Sequence, residues 1–169
     1  MPGRGDVGGL FRAYMALERK RRSEVLGPAE LRQWMQLKRQ LNTHLQPGLE
    51  PGRADRRESV RLPTRVQVSF ESYGEVQQCW MTRLSRGGLF IACDDPLPIG
   101  EKVELRIRIN PDEVLDAPGE VVSLNLGPDA ARLKRGMGVR FTGLSPEKQR
   151  EIDELYHRTL EDAAENAGS

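Results

Sequence analysis

A chain of 169 residues can hold one domain with a real core plus an appendage, and is too short for two large domains. Its 37% hydrophobic and 30% charged residues exclude wholesale disorder and fit a soluble protein with a charge-rich helical portion. The net charge of +1 excludes a polycation, so affinity for a polyanion could come only from local clustering of basic residues.

No stretch approaches the ~18 apolar residues needed to span a bilayer, and Met1 to Leu10 lacks the apolar core of a secretory signal. The expectation is a cytoplasmic protein without a membrane partner, in which Arg4-Gly5-Asp6 is a chance tripeptide and not an adhesion signal. Residues 1–9 read as a flexible N-terminus. From Leu10 to Leu26 the spacing of Leu10, Tyr14 and Leu17, with the Phe11 and Met15 pair, predicts a helix, which Gly27 and Pro28 end. A second helix over Pro28 to Leu45 places Leu31, Trp34, Leu41 and Leu45 on one stripe, flanked by Met35 and Leu37. The two make a helical hairpin over residues 10–46. Hairpins of this length bury little alone, so their apolar faces must meet each other, the rest of the protein or a second copy, which makes a homo-oligomer one candidate.

Pro47, Gly48, Pro51 and Gly52 break the periodicity, and residues 47–60 read as a Pro/Gly/Arg-rich linker strap. Beyond it the pattern switches to period two. Leu62, Val66, Val68 and Phe70 mark a first strand, and after a turn at Ser72 to Gly74 the run Val76 to Leu84 returns. Leu89 to Ala92 supplies a third strand, and Pro96, Pro98 and Gly100 mark the next turn. Val103, Leu105, Ile107 and Ile109 then alternate with Glu104, Arg106 and Arg108. Glu120 to Leu124 and Met137 to Phe141 add two more strands. The fold class is therefore mainly β: six antiparallel strands in a closed or nearly closed β-barrel, which removes exposed edges. Ser145 and Pro146 read as N-cap and first residue of a C-terminal helix whose Ile152, Leu155, Tyr156 and Leu160 face the sheet. Barrel and closing helix together span 61–161, and 162–169 form a flexible tail.

Catalytic chemistry finds few candidates. His44 and His157 are far apart in sequence, lack the spacing of a metal-ligand pair, and read as solvent-facing. Cys79 and Cys93 form no CxxC pair, have no histidine nearby in sequence, and in a reducing compartment read as small apolar strand residues instead of a disulfide. Ser85 lies in a run resembling part of a nucleophile elbow, but Arg83 stands where that turn needs glycine. Gly136-Met137-Gly138 opens a strand and not a helix, so it is no phosphate loop. No enzyme and no metal site emerges.

The strap carries more information. Arg53, Arg56, Arg57, Arg61 and Arg65 fall within thirteen residues, opposed only by Asp55 and Glu58. The planar guanidinium fork bonds phosphate oxygens or the O6/N7 edge of guanine and also stacks on a purine. Such a cluster suits a compact anionic nucleotide.

The stretch Arg56-Arg57-Glu58-Ser59-Val60-Arg61-Leu62-Pro63-Thr64 resembles the RxxxR motif of PilZ domains, with Arg57 and Arg61 as its arginines. Further on, Leu84-Ser85-Arg86-Gly87-Gly88-Leu89-Phe90-Ile91 resembles the second motif of that family, [D/N]xSxxG, with Ser85 and Gly88 in register. Pro96 to Gly100 and Gly136 to Phe141 are also similar to the family, and the likeness covers about residues 53 to 160. The resemblance implies a bacterial regulator whose barrel binds cyclic di-GMP, often as an intercalated pair. It implies that Arg57 and Arg61 grip phosphates and guanine edges, that Ser85 bonds the base, and that Gly88 permits the turn and close approach of the ligand. Arg56 and Arg65 would be accessory.

One position departs from the family pattern. Arg83 stands where Asp or Asn is expected, and a guanidinium has five donors and no acceptor. A buried guanine donor left unpaired costs about 1–3 kcal/mol, whereas Arg83 bonding a phosphate or guanine O6/N7 recovers some or all of it. Two functions follow: a cyclic di-GMP receptor that relays the signal to a protein partner through the hairpin, or a PilZ adaptor that acts by protein contact without the ligand. Motility, surface polysaccharide and cell-cycle behaviour are the processes the family suggests. Binding of nucleic acid by the strap is disfavoured, because aromatics are sparse beside the arginines and no reading helix follows.

Overall fold

The computed structural model describes residues 7–46, 50–57, 59–72, 74–126 and 135–167. The Arg4–Asp6 tripeptide, Pro47 and Gly48, Glu58 of the strap and Tyr73 of the first turn lie outside them. The chain divides into two compact units: a helical unit of residues up to Leu62 together with Glu154 onward, and a barrel unit of Pro63–Asp153.

The helical unit holds α1 (Val7–Ser23), α2 (Pro28–Leu45), α3 (Pro51–Arg56) and the C-terminal part of α4 (Pro146–Ala167). Lys20, Arg21 and Arg22 complement the dipole in the last turn of α1. Gly27 is the N-cap of α2, Pro28 follows it, and Glu30 accepts both from the Gly27 N–H at 3.4 Å and from Lys20 Nζ at 2.7 Å. The buried stripe of α2 differs from the expected one: it runs through Trp34, Leu37, Lys38, Leu41 and Asn42, while Leu31 and Met35 are each 43% exposed. Lys38 and Asn42 hid it, because a polar residue within an apolar stripe looks like the solvent face. Trp34 explains part of the burial of Lys38. Its indole N–H donates to Glu18 Oε1 at 2.6 Å, while Arg21 and Lys38 lie over the ring at 4.3 and 4.8 Å. The ring thereby helps to compensate two cations, and the N–H satisfies a buried carboxylate.

Part of the expected linker is helical. Glu50 and Pro51 act as N-cap and first residue of α3, and the Arg53 and Ala54 amides close onto the Glu50 carbonyl at 2.9 and 3.1 Å. Two tyrosines then hold the chain that follows. Val60 N–H donates to Tyr14 Oη at 3.0 Å, Tyr156 Oη donates to the Val60 carbonyl at 2.7 Å, and the two hydroxyls are 3.2 Å apart. Because the Tyr156 proton goes to Val60, Tyr14 donates to Tyr156, which closes a ring of three hydrogen bonds. Burial, followed by the neighbouring Tyr156 and Glu18, raises the Tyr14 pKa well above its ordinary value.

His157 is 9% exposed, not solvent-facing, and its Nε2 accepts from Arg19 Nε. An accepting Nε2 places the proton of the neutral ring on Nδ1, which has no partner among the described residues. His44 is exposed, as expected. Helix α4 starts on the Ser145 cap, whose Oγ accepts from Lys148 N–H at 3.1 Å, and continues past Leu160 to Ala167.

The barrel unit closes in the order β1-β2-β3-β6-β5-β4. Its strands are β1 (Leu62–Ser72), β2 (Glu75–Leu84), β3 (Gly88–Ala92), β4 (Lys102–Asn110), β5 (Glu113–Asn125) and β6 (Gly136–Phe141). All neighbouring pairs with an assigned register are antiparallel, and β1 meets β4 with Val68 opposite Ile107. In β4, Val103, Leu105 and Ile107 are buried while Glu104, Arg106 and Arg108 are exposed, as the alternation requires. β5 starts seven residues before the expected Glu120. Pro118 and Gly119 concealed that half, yet the Pro118 carbonyl accepts from Thr142 N–H, so the missing proline N–H lies on the β6 side and removes no bond to β4.

Candidate functional site

The candidate residues are distributed over the two units: Arg56, Arg57 and Arg61 in the helical unit, and Arg65, Arg83, Ser85 and Gly88 in the barrel unit.

In the helical unit, α2 organises the strap. Lys38 Nζ donates to the carbonyls of Asp55 at 2.8 Å and of Arg57, which covers the C-terminal end of α3. Arg39 makes a two-point ion pair with the Asp55 carboxylate, and this contact lowers the Asp55 pKa. One of the two acids opposing the strap in sequence is therefore consumed by α2. Arg57 donates to Asn42 Oδ1 at 3.1 Å and to Gln46 Oε1 at 2.7 Å. The same Asn42 oxygen accepts the Arg61 backbone N–H at 3.2 Å. Asn42 thus sets the backbone between the two motif arginines, a role that its helical position gave no reason to expect.

Arg61 is exposed as a residue. Partial burial of the guanidinium, and secondarily the nearby charge of Arg53, push its pKa down. Neither Arg53 nor Arg61 meets a carboxylate among the described residues. Two like charges held near one another, neither paired with an acid among the described residues, form an anion-attracting locus. Arg53 belongs to it although neither motif includes it; its place one helical turn before Arg57 was the available signal. Arg56 is exposed and donates to the Gly52 carbonyl at 3.2 Å.

In the barrel unit, the β2–β3 hairpin carries Arg83, Ser85 and Gly88. The Ser85 N–H and Oγ both donate to the Gly88 carbonyl, at 2.9 and 3.1 Å, which closes the turn around Arg86 and Gly87. Arg86 makes a two-point ion pair with Asp153 of α4, at 3.0 and 3.3 Å, and Gln149 also donates to Asp153 at 3.1 Å. The turn is therefore fixed from within by Ser85 and from α4 by Asp153. The register shifts between Met81 and Arg83, so Thr82 is the extra residue of a bulge that re-aims Arg83. Gly88 serves strand packing: a Cβ there would lie 2.3 Å from the Val139 carbonyl oxygen, so β3 and β6 could not approach as they do. It is buried, and its φ is not among the positive ones. Arg65 lies elsewhere on the barrel, stacked over the exposed Trp80 ring at 4.7 Å.

The family model described as PilZ domain matches residues 55–158, well over half of the chain. The chain belongs to the PilZ domain family. Solved structures agree in fold. The PilZ domain of YcgR from Escherichia coli with c-di-GMP superposes with a TM-score of 0.56 at 15% identity, covering 66% of this chain and 97% of that one. The inhibitor of motility MotI/DgrA from Bacillus subtilis gives 0.50 at 22% identity, over 63% and 52% of the two chains. No curated protein matches the sequence. Among the described residues, no helix is long and apolar enough to cross a membrane.

Proposed function

We propose that this PilZ protein is a cyclic di-GMP receptor. The ligand draws on Arg57 and Arg61 of the strap and on Ser85 of the β2–β3 turn, with Gly88 holding that turn in place and Arg53 and Arg56 adding charge. The observation that carries the reading is the guanidinium pair Arg53 and Arg61, with no acid partner among the described residues because Arg39 diverts Asp55. A cyclic dinucleotide supplies two phosphates and two guanine edges, the groups that a planar donor fork recognises. Titration calorimetry on the full chain tests this: micromolar cyclic di-GMP should release heat, and Arg61→Ala should weaken binding about 10- to 150-fold, as expected for a lost charge-assisted hydrogen bond.

A second reading is favoured by two observations: Arg57 is already engaged by Asn42 and Gln46, and Arg83 supplies no acceptor for guanine donors. In this reading the protein is an adaptor whose arginines meet an acidic protein surface. Wild type without heat alongside an Arg83→Asp variant that binds, together with a captured partner indifferent to nucleotide, would assign it that role.

A further inference from the structure

Cys79 and Cys93 sit at the end of the β2–β3 hairpin opposite to the Ser85 turn. Trp80 pairs with Ala92, so the next step of the antiparallel register sets Cys79 directly across from Cys93. Met81 and Ile91, two positions along each strand, are buried in the barrel core, so the cysteines share that inward side. Both are free and half-buried. The Cys93 N–H donates to the Arg135 carbonyl at 3.0 Å, toward β6. Its backbone groups therefore turn away from β2, and Cys79 and Cys93 form a non-hydrogen-bonded pair. In such pairs the Cα atoms are about 4.5 Å apart and the side chains approach most closely, inside the window of about 4.4–6.8 Å that a disulfide spans.

We propose that Cys79 and Cys93 are a redox-active dithiol, oxidised by hydroperoxides to a cross-strand disulfide that staples the open end of this hairpin. Cys79 is the attacking group: burial raises both thiols, but the neighbouring Cys93 offsets part of the rise at Cys79, whereas Cys79 adds to the rise at Cys93. The Cys79 thiolate attacks the distal peroxide oxygen; the O–O bond breaks, releasing an alcohol or water and leaving a sulfenic acid. The Cys93 sulfur then attacks Cys79 sulfur; the S–S bond forms, the S–O bond breaks, and the departing hydroxide takes the Cys93 proton as water. Two thiols and one hydroperoxide give one disulfide, one alcohol and one water. Burial holds both thiols protonated, Cys93 up to about 12, so the reaction is slow at neutral pH and accelerates about tenfold per pH unit below the Cys79 pKa.

The test uses the reduced full-length protein and hydrogen peroxide, read by intact mass, thiol titration and a non-reducing gel. The expected result is a monomer that loses two hydrogens in mass and both titratable thiols, faster at higher pH and reversed by dithiothreitol. Cys93→Ser should stop at a sulfenic acid on Cys79, captured by a dimedone probe, whereas Cys79→Ser should give no monomeric disulfide. Intermolecular dimers, or addition of oxygen to each cysteine separately without loss of two hydrogens, would overturn the proposal.

Discussion

The tyrosine ring around Val60 makes a prediction whose size follows from counting bonds. Tyr14→Phe removes the acceptor of the Val60 N–H and the donor to Tyr156; Tyr156→Phe removes the donor to the Val60 carbonyl and the acceptor of Tyr14. Each single variant breaks two of the three bonds and strands one buried backbone group, since Val60 is fully buried. Stranding such a group costs about 1–3 kcal/mol, which for a chain of this size lowers the melting temperature by about 2–12 °C. The double variant breaks three bonds, not four. Its loss should therefore fall short of the sum of the singles by one neutral hydrogen bond, about 0.5–1.5 kcal/mol. Urea unfolding of the wild type and three variants, followed by circular dichroism, measures the cycle. Additive losses, or single losses under about 0.5 kcal/mol, would refute the ring. The segment at stake includes Arg61, so the same variants should also weaken any ligand that needs the strap ordered.

Gly88→Ala should destabilise by about 1–3 kcal/mol or more, because its Cβ meets the Val139 backbone oxygen, which cannot move without opening the β3–β6 pairing. Gly138→Ala is the control: its Cβ meets the Ser123 hydroxyl, which can rotate, so its thermal midpoint should stay near that of the wild type. Equal losses in the two variants would remove the packing account of Gly88. His157 supplies a pH dependence. Burial, then the Arg19 and Arg22 charges, lower its pKa below the ordinary 6.5, so the unfolded chain binds its proton more readily than the folded one. The stability that the neutral ring contributes is present above pH ~6.5 and is lost as the pH falls through that value toward the folded pKa. Urea midpoints between about pH 5.5 and 7.5 should decline on acidification in the wild type and flatten in His157→Gln; identical slopes would contradict it.

Much of the fold was legible because its signals are local. The alternation in Val103 to Ile109 follows from the two-residue period of a strand, the Ser145-Pro146 start from capping chemistry, and the Gly27-Pro28 boundary from what each residue permits the backbone. Both motifs were legible by resemblance, as was the missing acceptor at position 83. Signals that depend on a neighbour distant in sequence were not. The burial of Lys38 is explained by the Trp34 ring and by the carbonyls of Asp55 and Arg57, and that of His157 by Arg19. The first half of β5 was hidden because Pro118 reads as a breaker until its partner strand shows that no bond to β4 is lost.

The chain's own sequence determined the family, the order of strands and helices and the concentration of arginine in the strap, since these rest on residue type and short-range spacing. Tertiary structure alone decided how the charges of the strap pair among the described residues. Asp55 is neighbour to Arg56 in sequence but pairs with Arg39 of α2, while Arg53 is left close to Arg61. It also decided that Gly88 is a packing residue and that Cys79 faces Cys93. The physical reason is the same in each case: an electrostatic or steric contact depends on distance through space, and strand register and helix packing set that distance only once the chain has folded.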